Sequence, residues 1–551
     1  MARLLVIGLD GATLDLVRPW AAAGRLPVLA RLMAAGAWGP LRSTIPAATF
    51  PAWTSLVTGV NPGRHGVLDF TERVPGTYRV RFVNGSYRRV PALWTRLSAA
   101  GRRVAVLTVP ATYPPEPIDG VMVSGFDSPL ATAIDGSFVH PRALYRDIQR
   151  AVGRVPFADF QEVTTGPGWH ADALARLLDG VERRTKLATW LLARERWDAL
   201  MVVFGESDTV AHHFWRFHDT RSPRHAPGPF ASAIARVYEA LDRAVGALLA
   251  AAPPDTAVAV VSDHGSGGAS DRVVHLNRRL AACGLLALCP AARGRVARLV
   301  RAAALRAVPA RLQGSLVRRA PAAAARLEGL HRLAGIDWRR TVAYSEELDY
   351  HPSVWLNLRG REPEGVVAPG AYAATLERVA AALATWRDEA GRPVVERVWR
   401  REELYAGPFV ERAPDLVLEL ALVDGYSRSC LPSAGPGPAL RRLAPAEHGG
   451  GKGRGMNGAH RPDGLFVLAG AGVRPAGALG PADIVDVLPT LLALAGEPVP
   501  GGLDGRPIAG ALAAKPRSAP DPLPEAALGP RPFDAGETRE LAARLAALGY
   551  L

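Results

Sequence analysis

L-L-V-I-G-L-D, residues Leu4 to Asp10, is a short apolar run that ends on a carboxylate and is followed by Gly11. A run this short and this rich in Leu, Val and Ile reads as a buried parallel strand. Parallel α/β sheets place their ligands outside the carboxyl ends of the strands. Burying a carboxylate there is costly unless something positive meets it. Asp10 therefore asks for a cation, and the rest of the chain has to supply its other partners.

Outward from this strand, Thr13–Trp20 and Leu26–Ala35 read as helices and Ala37–Ile45 as a strand. The loop Pro46–Trp53 runs into an apolar helix, with Thr49 at the N-cap position and Pro51 in the first turn. Helix is again predicted for Pro91–Gly101, and strands for Arg103–Val109 and Val121–Ser124. A long helix over Trp169–Glu195 precedes the strand Ala199–Phe204, which runs out into Gly205-Glu206-Ser207-Asp208. The helix Phe230–Ala251 precedes the strand Thr256–Val261, which runs out into Ser262-Asp263-His264-Gly265. This alternation predicts an α/β fold: a doubly wound, mostly parallel sheet flanked by helices.

Residues 268–420 break the rhythm and read as an inserted helical and α+β cap. Within it, Thr341–Tyr344, Val354–Leu358 and Asp415–Leu420 read as strands and Ala371–Glu389 as a helix. The expected organisation is a core of 1–267 with 421–512, the cap, and an arm over 513–551. In the last parts of the chain a strand is predicted at Leu465–Ala469, a helix at Asp483–Ala495 and a short amphipathic helix at Leu541–Leu551.

The chain has 551 residues and a formal charge of +14. The basic excess favours phosphate-bearing substrates or an anionic surface. It is densest at Arg293–Arg332, with ten Arg and the single acid Glu328, a segment that offers weak contact with an anionic membrane. Three cysteines, Cys283, Cys289 and Cys430, support neither a disulfide framework nor a thiolate zinc site. The apolar stretch at the N-terminus is too short for a signal peptide and no run is long enough to span a membrane, so a soluble, cytoplasmic protein is expected.

Four places carry candidate ligands: Asp10, Asp208 with His212, Asp263 with His264, and His460. Asp208 and His212 stand four apart, on one face if the segment is helical. Carboxylate with imidazole suits zinc, and also manganese or iron.

Together with their neighbours these residues resemble the alkaline phosphatase superfamily, in its type I phosphodiesterase/nucleotide pyrophosphatase branch. The stretches that carry the resemblance are V-I-G-L-D-G at Val6–Gly11, T-F-P-A-W-T-S-L-V-T-G at Thr49–Gly59 and N-P-G-R-H-G-V at Asn61–Val67. E-S-D-T-V-A-H at Glu206–His212, S-D-H-G at Ser262–Gly265, G-A-H-R-P-D-G at Gly458–Gly464 and D-V-L-P-T-L-L-A-L-A-G at Asp486–Gly496 complete the set. The resemblance implies two divalent metals, zinc first and manganese as the alternative. One would be held by Asp10, Asp263 and His264 and would contact Thr49; the other by Asp208, His212 and His460. It makes Thr49 the nucleophile of a metal-dependent phosphodiester or pyrophosphate hydrolase that forms a covalent phospho-threonine. The expected partner is a small phosphate ester, with no specific nucleic acid. The alternatives are a phosphomonoesterase or phosphoryl transferase of the superfamily, or an inactive member that binds phosphate ligands. One departure stands out. The family's phosphate-contacting Asn falls at Phe70 here, with Asn61 and Asn84 as candidate replacements.

Overall fold

The computed structural model describes residues 3–125, 136–153, 168–289, 333, 335–347, 352–433, 435–448, 456–520, 530–534 and 537–538. The Arg293–Arg332 segment, Lys452 and the Leu541–Leu551 helix lie outside these residues.

Strand β1 spans Arg3–Leu9. After it come helices α1 (Leu14–Ala22) and α2 (Pro27–Ala35), strand β2 (Ala37–Arg42) and helix α3 (Thr49–Thr58). Strands β3 (Val104–Leu107) and β4 (Gly120–Val123) lead to the long helix α4 (Trp169–Arg194). Strand β5 (Ala199–Phe204) is followed by α5 (Glu206–His218) and α6 (Ala233–Ala251), then β6 (Thr256–Val261) and β7 (Gly265–Val274). The chain returns through β8 (Gly458–Arg461), β9 (Asp463–Gly470) and α7 (Val487–Leu494).

The main sheet runs in the order β2-β9-β6-β1-β5-β3-β4, with short strands at both edges. β1 is central and pairs in parallel with β5 on one side and β6 on the other. Its residues alternate between two cores, as a strand buried on both faces must. Leu5, Ile7 and Leu9 join the cluster packed by α2, α4 and α6. Leu4 and Val6 join the cluster packed by α3 and α7. The predicted doubly wound, mostly parallel sheet is the observed one.

This strand order sets up the site. β5, β1 and β6 are neighbours and parallel, so the residues that leave their carboxyl ends emerge side by side. β9 departs from the parallel pattern, being antiparallel to both β2 and β6. It therefore begins at the edge where β6 ends, and His460, just before it, arrives at that same edge.

Two local readings are corrected. Thr49 is not an N-cap: Ala48 takes that place in extended backbone, and no side chain caps the helix. The predicted Asp483–Ala495 helix begins at Val487, because Ala482–Asp483 pairs with β2 and a 3-10 turn fills the gap. In the region of the expected cap, Ala343–Tyr344, Ser353–Leu356, Leu416–Leu420 and Val395–Arg400 form a separate four-stranded sheet with its own apolar cluster. β7 runs across position 268, pairing with β8 in its first half and with Ser427–Cys430 and Leu440–Arg442 further on. Residues 530–534 lie back on the body, where Phe533 stacks on Tyr113 at 5.8 Å between ring centroids.

Candidate active site

The backbone turns sharply after β1. Gly11 adopts a φ of +66°, a region that an L side chain rarely enters. Its N–H donates to Asp263 Oδ1 at 3.2 Å, joining the ends of β1 and β6. Two serines pin the neighbouring loops: Ser207 Oγ donates to the Asp10 carbonyl at 2.6 Å and Ser266 Oγ to the Gly11 carbonyl at 2.6 Å.

All six ligand candidates are buried and converge. Asp10, Asp263 and His264 each bring one donor atom within 4.8 Å of the others, as do Asp208, His264 and His460. His264 Nε2 is 3.5 Å from Asp10 Oδ1 and 3.4 Å from Asp263 Oδ2. Asp208 Oδ1 is 3.0 Å from His212 Nε2 and 3.3 Å from His460 Nε2, so the helical i, i+4 pair does share one face. The His264 and His460 rings stack at 3.7 Å between centroids, and His264 thus lies between the two donor sets.

The three imidazoles share one arrangement. The Nδ1 atoms of His212, His264 and His460 face the carbonyls of Gly458, Gly265 and Ala47 at 3.0, 3.0 and 2.6 Å. A carbonyl only accepts, so each Nδ1 carries the proton and each Nε2 turns a lone pair to the centre. The His212 and His460 Nε2 atoms stand 3.1 Å apart. Two lone pairs at that separation repel unless positive charge is shared between them. Asp263 Oδ2 is fully buried and has no hydrogen-bond partner among the described residues. Burial first, and then the Asp10 carboxylate, push the Asp263 carboxyl well above the usual carboxylate range. Three carboxylates and three oriented imidazoles in a buried space are a donor set that fits divalent metal.

Thr49 is bracketed by this centre. It is the first residue of α3 and is buried. Two residues earlier, the Ala47 carbonyl holds His460. Four residues later, one turn along the same face, Trp53 Nε1 donates to Asp10 Oδ2 at 3.1 Å. With Ala48 offering no side-chain acceptor, the first amides of α3 form an N-terminus suited to an anion.

The other sequence candidates have local work. Asn61 caps a short helix through Gly63 and bonds Asp504, and Asn84 accepts from Ser86 and donates to the Arg531 carbonyl. Phe70 packs on Phe50, with 4.4 Å between ring centroids. Arg64 pairs with Asp504. His213 and Trp215 are core residues, and His218 edges Trp20. His448 is buried at the edge of the described residues.

His65 accepts from the Val67 N–H at Nδ1 and so donates from Nε2 to Ser55 Oγ on α3, at 2.9 Å. Burial, aided by Arg88, pushes its pKa down from 6.5 to about 3. The unfolded chain therefore binds this proton first, so stability is lost as pH falls from 6.5 towards 3 and is unaffected by this group above that window. His65→Gln is expected to flatten the fall in urea midpoint across this window. A variant with the same slope as the parent would remove His65 from the account of acid sensitivity.

Trp53, Ser207 and Ser266 were not singled out by sequence reasoning. The two serines carry no signal apart from their neighbours. For Trp53 the signal is a Trp inside an apolar run four residues after Thr49, since an indole buried there requires an acceptor for its N–H.

The sequence profile of the type I phosphodiesterase / nucleotide pyrophosphatase family matches residues 4–427. No curated protein matches the chain. Among solved structures it is similar to phosphonoacetate hydrolase from Sinorhizobium meliloti 1021 in complex with phosphonoformate, at 17% identity over 90% of this chain and 96% of that one, TM-score 0.53. The same hydrolase with phosphonoacetate aligns at 15% identity, 90% and 96% coverage and TM-score 0.52. Murine ectonucleotide pyrophosphatase / phosphodiesterase 5 aligns at 12% identity, 90% and 96% coverage and TM-score 0.45. The fold is thus alkaline phosphatase-like, and the chain belongs to the type I phosphodiesterase / nucleotide pyrophosphatase family of metal-dependent phosphoric ester hydrolases.

Proposed function

We propose that the protein hydrolyses phosphodiester or pyrophosphate bonds in a small substrate, with Thr49 as nucleophile and two divalent metals, zinc in the first place. The observation that supports this best is the common orientation of His212, His264 and His460. Each has its Nδ1 proton spent on a backbone carbonyl and its Nε2 turned to the buried carboxylates. Asp10, Asp263 and His264 would hold one metal, and Asp208, His212 and His460 the other. Imidazole with carboxylate is zinc chemistry, with manganese as the second choice.

When bound, such a pair supplies Lewis acidity that lowers the pKa of a coordinated hydroxyl and offsets charge on the entering and leaving oxygens. The chain does the rest. Thr49 Oγ1 gives up its proton and attacks phosphorus, the bond to the leaving oxygen breaks and that oxygen takes a proton, and the remaining phosphoryl group is carried as a threonine ester. Water then attacks the same phosphorus, the Thr49 Oγ1–P bond breaks, and the hydroxyl regains its proton. The first amides of α3 face the equatorial oxygens. Burial of Thr49 limits the access of bulk water during the first step.

Metal analysis of the purified chain, together with hydrolysis of bis-p-nitrophenyl phosphate, tests the proposal. Two equivalents of metal are expected, with activity lost to a chelator and restored by zinc or manganese. A chain with neither metal nor activity under either ion overturns it.

A further inference from the structure

Gly8 is the second place where a missing side chain decides the geometry. It lies on the β1 face that packs on α3. A Cβ built there would stand 2.4 Å from Trp53 Cη2, 3.1 Å from Cζ3 and 2.7 Å from Val203 Cγ2. Every other residue in that position would displace the indole. The space is filled by Trp53, fully buried between strand and helix, with its N–H on Asp10 Oδ2 at 3.1 Å. The other Asp10 oxygen, Oδ1, is the one 3.5 Å from His264 Nε2.

We infer that Trp53 is a positioning residue: through its indole N–H it orients Asp10 as a metal ligand and sets the distance between Thr49 and that ligand. This rests on the metal-centre reading given above. The chemistry is that of an outer donor fixing a ligating carboxylate. One oxygen is held by the N–H, the carboxyl plane is set, and the remaining oxygen is aimed. Trp53 adds a second link, since it stands one helical turn after Thr49 on the same face. A shift of the indole would move the nucleophile and the metal ligand relative to each other.

A core-only role and a positioning role separate in Trp53→Phe, which keeps an aromatic ring in the cavity and removes the N–H. The positioning role predicts that affinity for the Asp10-bound metal falls by about 10- to 100-fold, measured by competition with a chromophoric chelator. Under either role the urea midpoint of the metal-free chain should fall, because the smaller ring leaves a cavity and Asp10 Oδ2 loses its donor, so the deciding readout is the metal affinity of the folded chain without urea. Excess zinc should recover much of the lost kcat, which a packing defect would not allow. Gly8→Ala should repeat the loss of affinity by pushing the indole away. Should that variant fail to fold, Trp53→Phe still decides the matter. A Trp53→Phe chain with parental chelator competition overturns the inference while leaving the metal centre standing. A parent chain that binds no metal overturns both.

Discussion

Thr49→Ala is expected to lower turnover of a diester by at least about 10³-fold, the scale seen when a covalent nucleophile is removed. The position makes this a clean test. Thr49 is the first residue of α3 and its hydroxyl does not cap the helix. Removing it therefore avoids the loss of about 1 kcal/mol that accompanies deletion of a capping hydroxyl. The urea midpoint and the metal content should both hold. In rapid-quench experiments with labelled substrate, the parent should trap a threonine phosphoester and the variant none. Unchanged turnover in Thr49→Ala would require another nucleophile, and the bracketing of Thr49 by His460 and Asp10 would then be incidental.

The second large effect is expected at Asp263. It is fully buried and accepts the Gly11 N–H at 3.2 Å, and its carboxyl is pushed well above the usual range by burial and by Asp10. Asp263→Asn keeps the shape and an oxygen for the Gly11 N–H but removes the charge. One equivalent of metal should be lost, and activity should fall by a factor on the order of 10³, the scale of losing one preorganised electrostatic group. The metal-free variant should nevertheless be more stable than the metal-free parent, by about 1–2 kcal/mol, as charge crowded for function is relieved. Metal should reverse that order, because only the parent gains the full binding free energy. Metal analysis and turnover check the first two expectations, and urea titrations of both proteins with and without zinc check the stabilities. If the metal-free variant is the less stable one, the carboxylate is held by structure rather than for a cation.

Much of the framework was legible in the chain. Apolar runs of strand length, each ending at a Gly, Ser or Asp, marked β1, β5 and β6, and the helices between them marked the α/β alternation. Ala199–Phe204 and Thr256–Val261 coincide with their strands, because both are buried on both faces and their residues have no other pattern to follow. Helix starts were less legible. Ser232, not Phe230, stands at the N-cap of α6, and an edge pairing takes the first residues expected in α7. Thr49 was the sharpest case. A Thr two residues before a Pro reads as a cap because propensity reads neighbours only, whereas the bend before α3 is held by a bond from His460, far away in sequence, to the Ala47 carbonyl.

The sequence by itself determined the strand ends, the residue types that gather there and the resemblance to a phosphoester hydrolase family. These follow from local pattern, which acts over a few residues. Only the tertiary structure decided that the ligand candidates converge, that three carbonyls turn three imidazoles the same way, and that Gly8 opens the space in which Trp53 reaches Asp10. Apart from the bond between the neighbours His264 and Gly265, such contacts join residues tens to hundreds of positions apart. Their geometry depends on the order β6-β1-β5 and on the antiparallel return of β9. No local preference encodes that order; it emerges when both faces of the sheet bury their side chains together.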